Sequence, residues 1–200
     1  MQIALIGKLS SHVELLWRAC ELSLLERRVD RMMVLDTEQK VRAQLKTWNH
    51  GASSSQDAPH TKDQKIVELG VNGTSQQIES YLETEGIAQR TSDIHALPDL
   101  HTRIIEVMDG EIVFFIHDKS VLNEDDIAST KLIVYGKGDT LDLRAFGSRH
   151  FFCPGPIADE KLSIIRSVKN GLIEIECLDF KGNTEWKKSL SPKTPRLSIT

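Results

Sequence analysis

Two short apolar runs, Ile3-Ala4-Leu5-Ile6 and Arg31-Met32-Met33-Val34-Leu35, enclose a stretch with helical spacing, and this pattern limits the folds open to the chain. Gly7 ends the first run, and Ser10 or Ser11 is placed to cap a helix running to about Arg28. Within it Val13, Leu16, Trp17, Cys20 and Leu24 recur at intervals of three and four, which gives one buried face. The second run stops at Asp36, and Thr37 to Trp48 reads as another helix. Strand, helix, strand, helix implies two parallel strands joined by a helical crossover.

The next stretch is less ordered in pattern. Asn49 to Asp63 is rich in Gly, Ser and polar residues and reads as an exposed loop. Ile66 to Val71 reads as a strand, Thr74 to Glu85 as a short helix, and residues 86–101 as irregular. After residue 102 the chain turns β-rich. Ile104 to Met108 and Glu111 to Ile116 flank Asp109-Gly110, a strong two-residue hairpin signal. A short helix precedes the buried strand Leu132 to Tyr135, then come Leu141 to Phe146 and His150 to Cys153. Leu162 to Val168 and Leu172 to Leu178 flank Asn170-Gly171 as a second hairpin, and Glu185 to Leu190 adds a further strand. An α/β first half with a β-rich second half predicts two sheets packed face to face and flanked by helices.

Bulk properties exclude several classes. Two hundred residues, 40% hydrophobic and 27% charged, suit one soluble globular domain or one with an inserted segment. A formal net charge of -4 argues against a nucleic-acid binder, which needs a concentrated basic face. No run approaches the roughly 18 apolar residues of a membrane span, and the first residues have no basic segment before their apolar run, so no signal peptide is expected. Cys20, Cys153 and Cys177 form no CxxC pair, which fits reduced thiols and a cytoplasmic location.

The order of these landmarks resembles the small calcineurin-like metallophosphoesterases of the bacterial and archaeal phosphodiesterase type. That group also contains a non-enzymatic member, the phosphoesterase-like subunit of the retromer complex. The resemblance covers the first 48 residues and residues 98 to about 186. It implies a four-layer αββα sandwich of two mixed sheets, a single domain over residues 1–190 with a diverged or inserted segment at about 49–97, and a tail at 191–200. Metals in such proteins are held by loops at strand ends. The family's first motif, Asp-x-His, is matched by "IALIGKLSSH", with Lys8 in the aspartate place and Ser10 in the histidine place. In "MMVLDT" Asp36 of the Gly-Asp motif is kept. "ELGVNGTS" answers to Gly-Asn with Asn72 one place out of register, and "IVFFIHDKS" keeps His117 of His-Gly with Asp118 following. The Gly-His-x-His motif is answered by Gly136-Lys137-Gly138-Asp139, and "FFCPGPIAD" resembles the family's Asn-Pro-Gly-Ser turn with Cys153 in the asparagine place.

These exchanges matter physically. An ammonium group has three donors and no lone pair, so Lys8 repels a cation instead of binding it. At about 4 Å and an effective dielectric near 20, one unit charge acting on a dication costs roughly 8 kcal/mol. Lys137 repeats the change at the other end of the site. Ammonium charge therefore replaces metal charge, with Asp36 expected to pair with Lys8, and Asp118 or Asp139 with Lys137. The preferred expectation is a catalytically degenerate phosphoesterase-fold protein that binds a protein partner, with Lys8, Ser10, Asp36, His117, Lys137 and Asp139 as a vestigial site and no cofactor. The alternative is a metal-dependent phosphodiesterase or phosphatase in which Asp36, His117 and Asp139, with Asn72 or His12, hold manganese or another divalent ion. A third reading uses Lys8 and Lys137 to bind a phosphorylated small molecule without turnover.

Overall fold

A computed structural model describes residues 1–52, 62–168 and 171–190. The chain divides into two compact units, Met1–Val41 with Ile94–Thr200, and Arg42–Asp93. The first unit carries eleven strands: β1 (Gln2–Ile6), β2 (Arg31–Thr37), β3 (Ile94–Leu97), β4 (Arg103–Met108), β5 (Glu111–Ile116), β6 (Leu132–Tyr135), β7 (Leu141–Phe146), β8 (Arg149–Pro154), β9 (Lys161–Val168), β10 (Leu172–Asp179) and β11 (Thr184–Leu190). They form a six-stranded sheet ordered β11-β10-β9-β1-β2-β3 and a five-stranded sheet ordered β4-β5-β6-β8-β7. We call these the first and second sheets. Both are mixed, since β1 and β2 run parallel while β1 and β9 run antiparallel, and β5 and β6 run parallel while β4 and β5 run antiparallel.

Alternation along the strands builds the layers. Ile3, Leu5, Met33 and Leu35 point from the first sheet toward Val113, Phe115, Leu132, Val134 and Phe152 of the second, and this is the main core. The alternate residues Ala4, Ile6, Met32 and Val34 are buried on the other face. There helix α1 (Val13–Cys20) covers the sheet, with Cys20 Sγ 3.7 Å from Met32 Sδ. On the outer face of the second sheet, Phe114, Ile116, Ile133, Tyr135 and Cys153 are covered by Val121 and Leu122 and by Ile127 of helix α5 (Glu124–Ser129). Helix, sheet, sheet, helix is the predicted αββα sandwich. Strands buried on both faces read as unbroken apolar runs, which is why β1, β2 and β6 were visible in the sequence.

Several local readings change. The first helix is shorter than expected: it starts at Val13 with His12, not a serine, at its N-cap, and the Ser10 hydroxyl accepts from the His12 amide at 3.1 Å instead of capping the helix. Past Cys20 it widens into a π-helical turn, Glu21–Glu26, closed by the Arg27 amide donating to the Leu22 carbonyl. Residues 66–71 are helix, not strand, inside α3 (Lys62–Asn72). β-Branched Ile66, Val67 and Val71 suggested a strand, but the first two are adjacent and lack a strand's alternation. The short helix predicted after it is α4 (Ser75–Ser92), longer than read and started by a reciprocal cap in which Thr74 N donates to Gln77 Oε1 and Gln77 N to Thr74 Oγ1. Residues 86–101, read as irregular, hold the end of α4 and all of β3. Of the expected loop from Asn49 to Asp63, Asn49–Ala52 end α2 (Glu38–Ala52), Lys62 and Asp63 begin α3, and the rest lies outside the described residues.

The Asp109-Gly110 hairpin is present. Both residues have positive φ, 51° and 83°, the backbone of a type I′ turn. Among the described residues no helix is long and apolar enough to cross a membrane.

Candidate functional site

The carboxyl ends of β1, β2, β5 and β6 meet at one rim of the first unit, and glycine makes the approach possible. A Cβ on Gly136 would stand 2.1 Å from the Leu35 carbonyl oxygen, and one on Gly7 the same distance from the Gly155 carbonyl oxygen. Only a residue without a side chain lets these backbones touch. The Ile157 amide then donates to the Lys8 carbonyl at 3.0 Å, tying the turn after β8 to the loop after β1. The His117 ring adds a tie between the sheets, because its Nδ1 lies 2.9 Å from the Leu35 carbonyl oxygen. A carbonyl can only accept, so Nδ1 donates this bond.

Asp36 sits beside that tie and is fully buried. Its Oδ1 accepts from the Thr37 amide at 2.8 Å and lies 3.0 Å from Lys40 Nζ. Its Oδ2 accepts from the Leu9 amide at 3.1 Å and from Lys40 Nζ at 3.1 Å. Three of these contacts are hydrogen bonds and the Oδ1–Lys40 approach completes the ion pair, so both carboxylate oxygens are engaged. The expected Lys8–Asp36 pair is therefore corrected: Lys40, four residues on and one turn into α2, is the counter-ion. Lys8 is exposed and makes no ion pair among the described residues. The chain geometry explains the exchange. Asp36 holds the Leu9 amide, so the Lys8 side chain is carried past the carboxylate and out to solvent, while residues i and i+4 at a helix start are natural neighbours.

On the second sheet, Lys137 pairs with Asp118 at 2.5 Å. Asp118 also accepts from the Ser120 amide at 3.0 Å, which caps the short 3₁₀ turn Lys119–Val121. The hydrogen bond from Lys137, helped by that amide, lowers the Asp118 carboxyl to about 2. Lys119 reaches back over the Tyr135 ring, its Nζ 4.3 Å from the centroid. Asp139 is exposed and makes no ion pair among the described residues. Cys153 is fully buried, and burial pushes its thiol upward; its Sγ lies where a Cβ on Gly138 would be, 2.4 Å away.

Two other candidates are not among these contacts. His12 is exposed at the start of α1, with Nδ1 2.9 Å from Glu14 Oε1. Asn72 is the exposed last residue of α3 in the second unit. Among the described residues no three His, Cys, Asp or Glu side chains are grouped as a metal ion would require. The rim therefore collects Asp36 and His117 through Leu35, and Lys137 with Asp118 beside them through the Lys137 amide, which donates to the His117 carbonyl at 2.7 Å. Lys40 is the participant that the sequence reading missed, although its spacing from Asp36 at a helix start was a usable signal.

No protein-family model matches the chain, and no curated protein matches it. Solved structures do. A single mutant of Vps29 from Entamoeba histolytica superposes with a TM-score of 0.53 at 10% identity, over 96% of this chain and 100% of that one. Wild-type Vps29 from the same organism, complexed with Zn²⁺, gives 0.52 at 10% identity over 96% and 100%. Vps29 from Chaetomium thermophilum gives 0.51 at 10% identity over 95% and 96%. Identities this low speak to architecture alone, and the architecture is the one that these Vps29 structures share.

Proposed function

We propose that this protein is a non-hydrolytic member of that fold which works by binding another protein. The observation that carries the reading is that both Asp36 oxygens are held by protein donors. Two backbone amides and an ammonium group occupy them, so a metal ion would have to compete with these partners and lie beside the Lys40 charge. Lys8 and Lys137 add positive charge where the resembled family places ligands. Among the described residues the side chains present do not fit a two-metal phosphoesterase centre. Lys137 is neutralised by Asp118, which also weighs against an anion pocket built from both lysines.

One observation favours a second reading, a hydrolase with a reduced site. His117 has its Nδ1–H anchored on a carbonyl, the arrangement that a ligating histidine uses for its other ring nitrogen. The test that separates the readings is hydrolysis of an aryl phosphodiester with added Mn²⁺, run beside calorimetry of Mn²⁺ binding. The binding-module reading expects neither heat nor turnover. Manganese-dependent turnover that disappears in a folded His117→Ala variant would replace it with the second.

A further inference from the structure

Strand β4 is an edge strand: it bonds to β5 along one side, and no backbone group of residues 103–108 has a partner on the other side among the described residues. Its register with β5 is unbroken from Arg103 to Met108, without the bulge or proline that usually protects such an edge. Its own charges are already spent. Arg103 is paired with Asp126 of α5, and Glu106 with Arg31 of β2 at 2.7 Å. What remains on the outer face is apolar. Ile105 is 54% exposed and Val107 63%, opposite Phe114 and Ile112 of β5. Helix α5 is six residues long and covers Phe114 without burying these two.

The ends of this ledge carry one sign of charge. Glu124 and Asp125 are exposed beside Asp126, which holds Arg103. Asp109 and Glu111 stand at the turn beyond Val107. An open backbone edge, two apolar side chains two residues apart and acidic ends together describe a complementary occupant. We propose that β4 docks an extended segment of a partner protein, with two apolar side chains at i and i+2 flanked by lysine or arginine, which adds to the second sheet as a further strand. A second copy of this chain fits less well. Antiparallel pairing of β4 with itself would set Asp109 and Glu111 of one copy against Glu124 and Asp125 of the other. The inference extends the binding-module reading without resting on it, because β4 contributes nothing to the strand-end rim.

The probe is a fluorescent peptide of sequence acetyl-Arg-Lys-Val-Thr-Ile-Lys-Arg-amide, titrated with the full chain at low salt and read by anisotropy. Saturable binding is expected, weakened at least about tenfold by Ile105→Lys and to a similar degree at roughly 0.5 M salt. Methylating alternate peptide amides should abolish it, since strand addition uses those N–H groups. Ile105→Thr keeps a β-branched residue in the strand and should weaken binding by about threefold, which guards against a variant that merely misfolds. Absence of binding overturns the proposal. So does equal binding of the methylated peptide or of one with glutamate in place of the basic residues. A dimer in light scattering that Ile105→Lys dissolves would assign the edge to self-association instead. Turnover at the strand-end rim would leave every one of these readings unchanged, so the two ideas fail separately.

Discussion

Asp36, in the last residues of β2, and Asp118, just past β5, both meet a lysine, yet they are different kinds of pair. Asp36 is wholly buried, and backbone amides supply half of its contacts. Asp118 keeps 27% of its side chain in solvent and is held by a lysine that is 65% exposed. The first carboxylate organises the chain, fixing the loop after β1 on the end of β2. The second mostly answers a neighbouring charge. Ion pairs thus differ in worth according to what else would lose its partner, and the shorter pair is here the lesser one.

The strongest way to break the comparison is to part the backbones on which both pairs stand. Gly136→Ala should destabilise the protein by about 3 kcal/mol, because the new methyl meets a carbonyl and not a movable side chain; chemical denaturation will measure it. Asp36→Ala comes next, at about 2 kcal/mol, from the stranded Leu9 and Thr37 amides. Lys40→Ala should cost only about 0.5 kcal/mol, since its side chain is 56% exposed. If the two variants lost equal stability, the carboxylate would matter through its charge and not through its amides. The smallest effect belongs to Lys137→Met. Removing that donor should return the Asp118 carboxyl toward 3.8, visible by NMR titration, with a stability loss under about 1 kcal/mol once solvent screening is counted. The sign follows from a lowered folded value: the pair contributes fully above the ordinary carboxylate range and fades as pH falls toward about 2. In the Lys137→Met variant that acid-side slope should flatten.

The strands of the sandwich were legible because burial on both faces leaves β1, β2 and β6 as plain apolar words, and Asp109-Gly110 can hardly be anything but a hairpin. The segment from residue 62 to 97 was not. Ile66, Val67 and Val71 favour strands by residue type, and at 47%, 64% and 75% exposure they mark no buried helical face to correct the impression. The rim was half legible. Position in the strand order located Asp36, His117 and Lys137, and nearness of charge suggested Lys8 for Asp36 and Asp118 or Asp139 for Lys137, of which only Asp118 is found. Asp118 was named because it is the residue next to His117. Lys40 was overlooked because strand-end reasoning compares one loop with another and ignores the helix that begins inside the same loop.

The bond from His117 to the Leu35 carbonyl has a mechanical sequel. It staples the mouth of one layer to the mouth of the other, so neither can slip sideways without snapping it. Whatever alights at that mouth meets a floor already set, and shape there is decided before any visitor arrives.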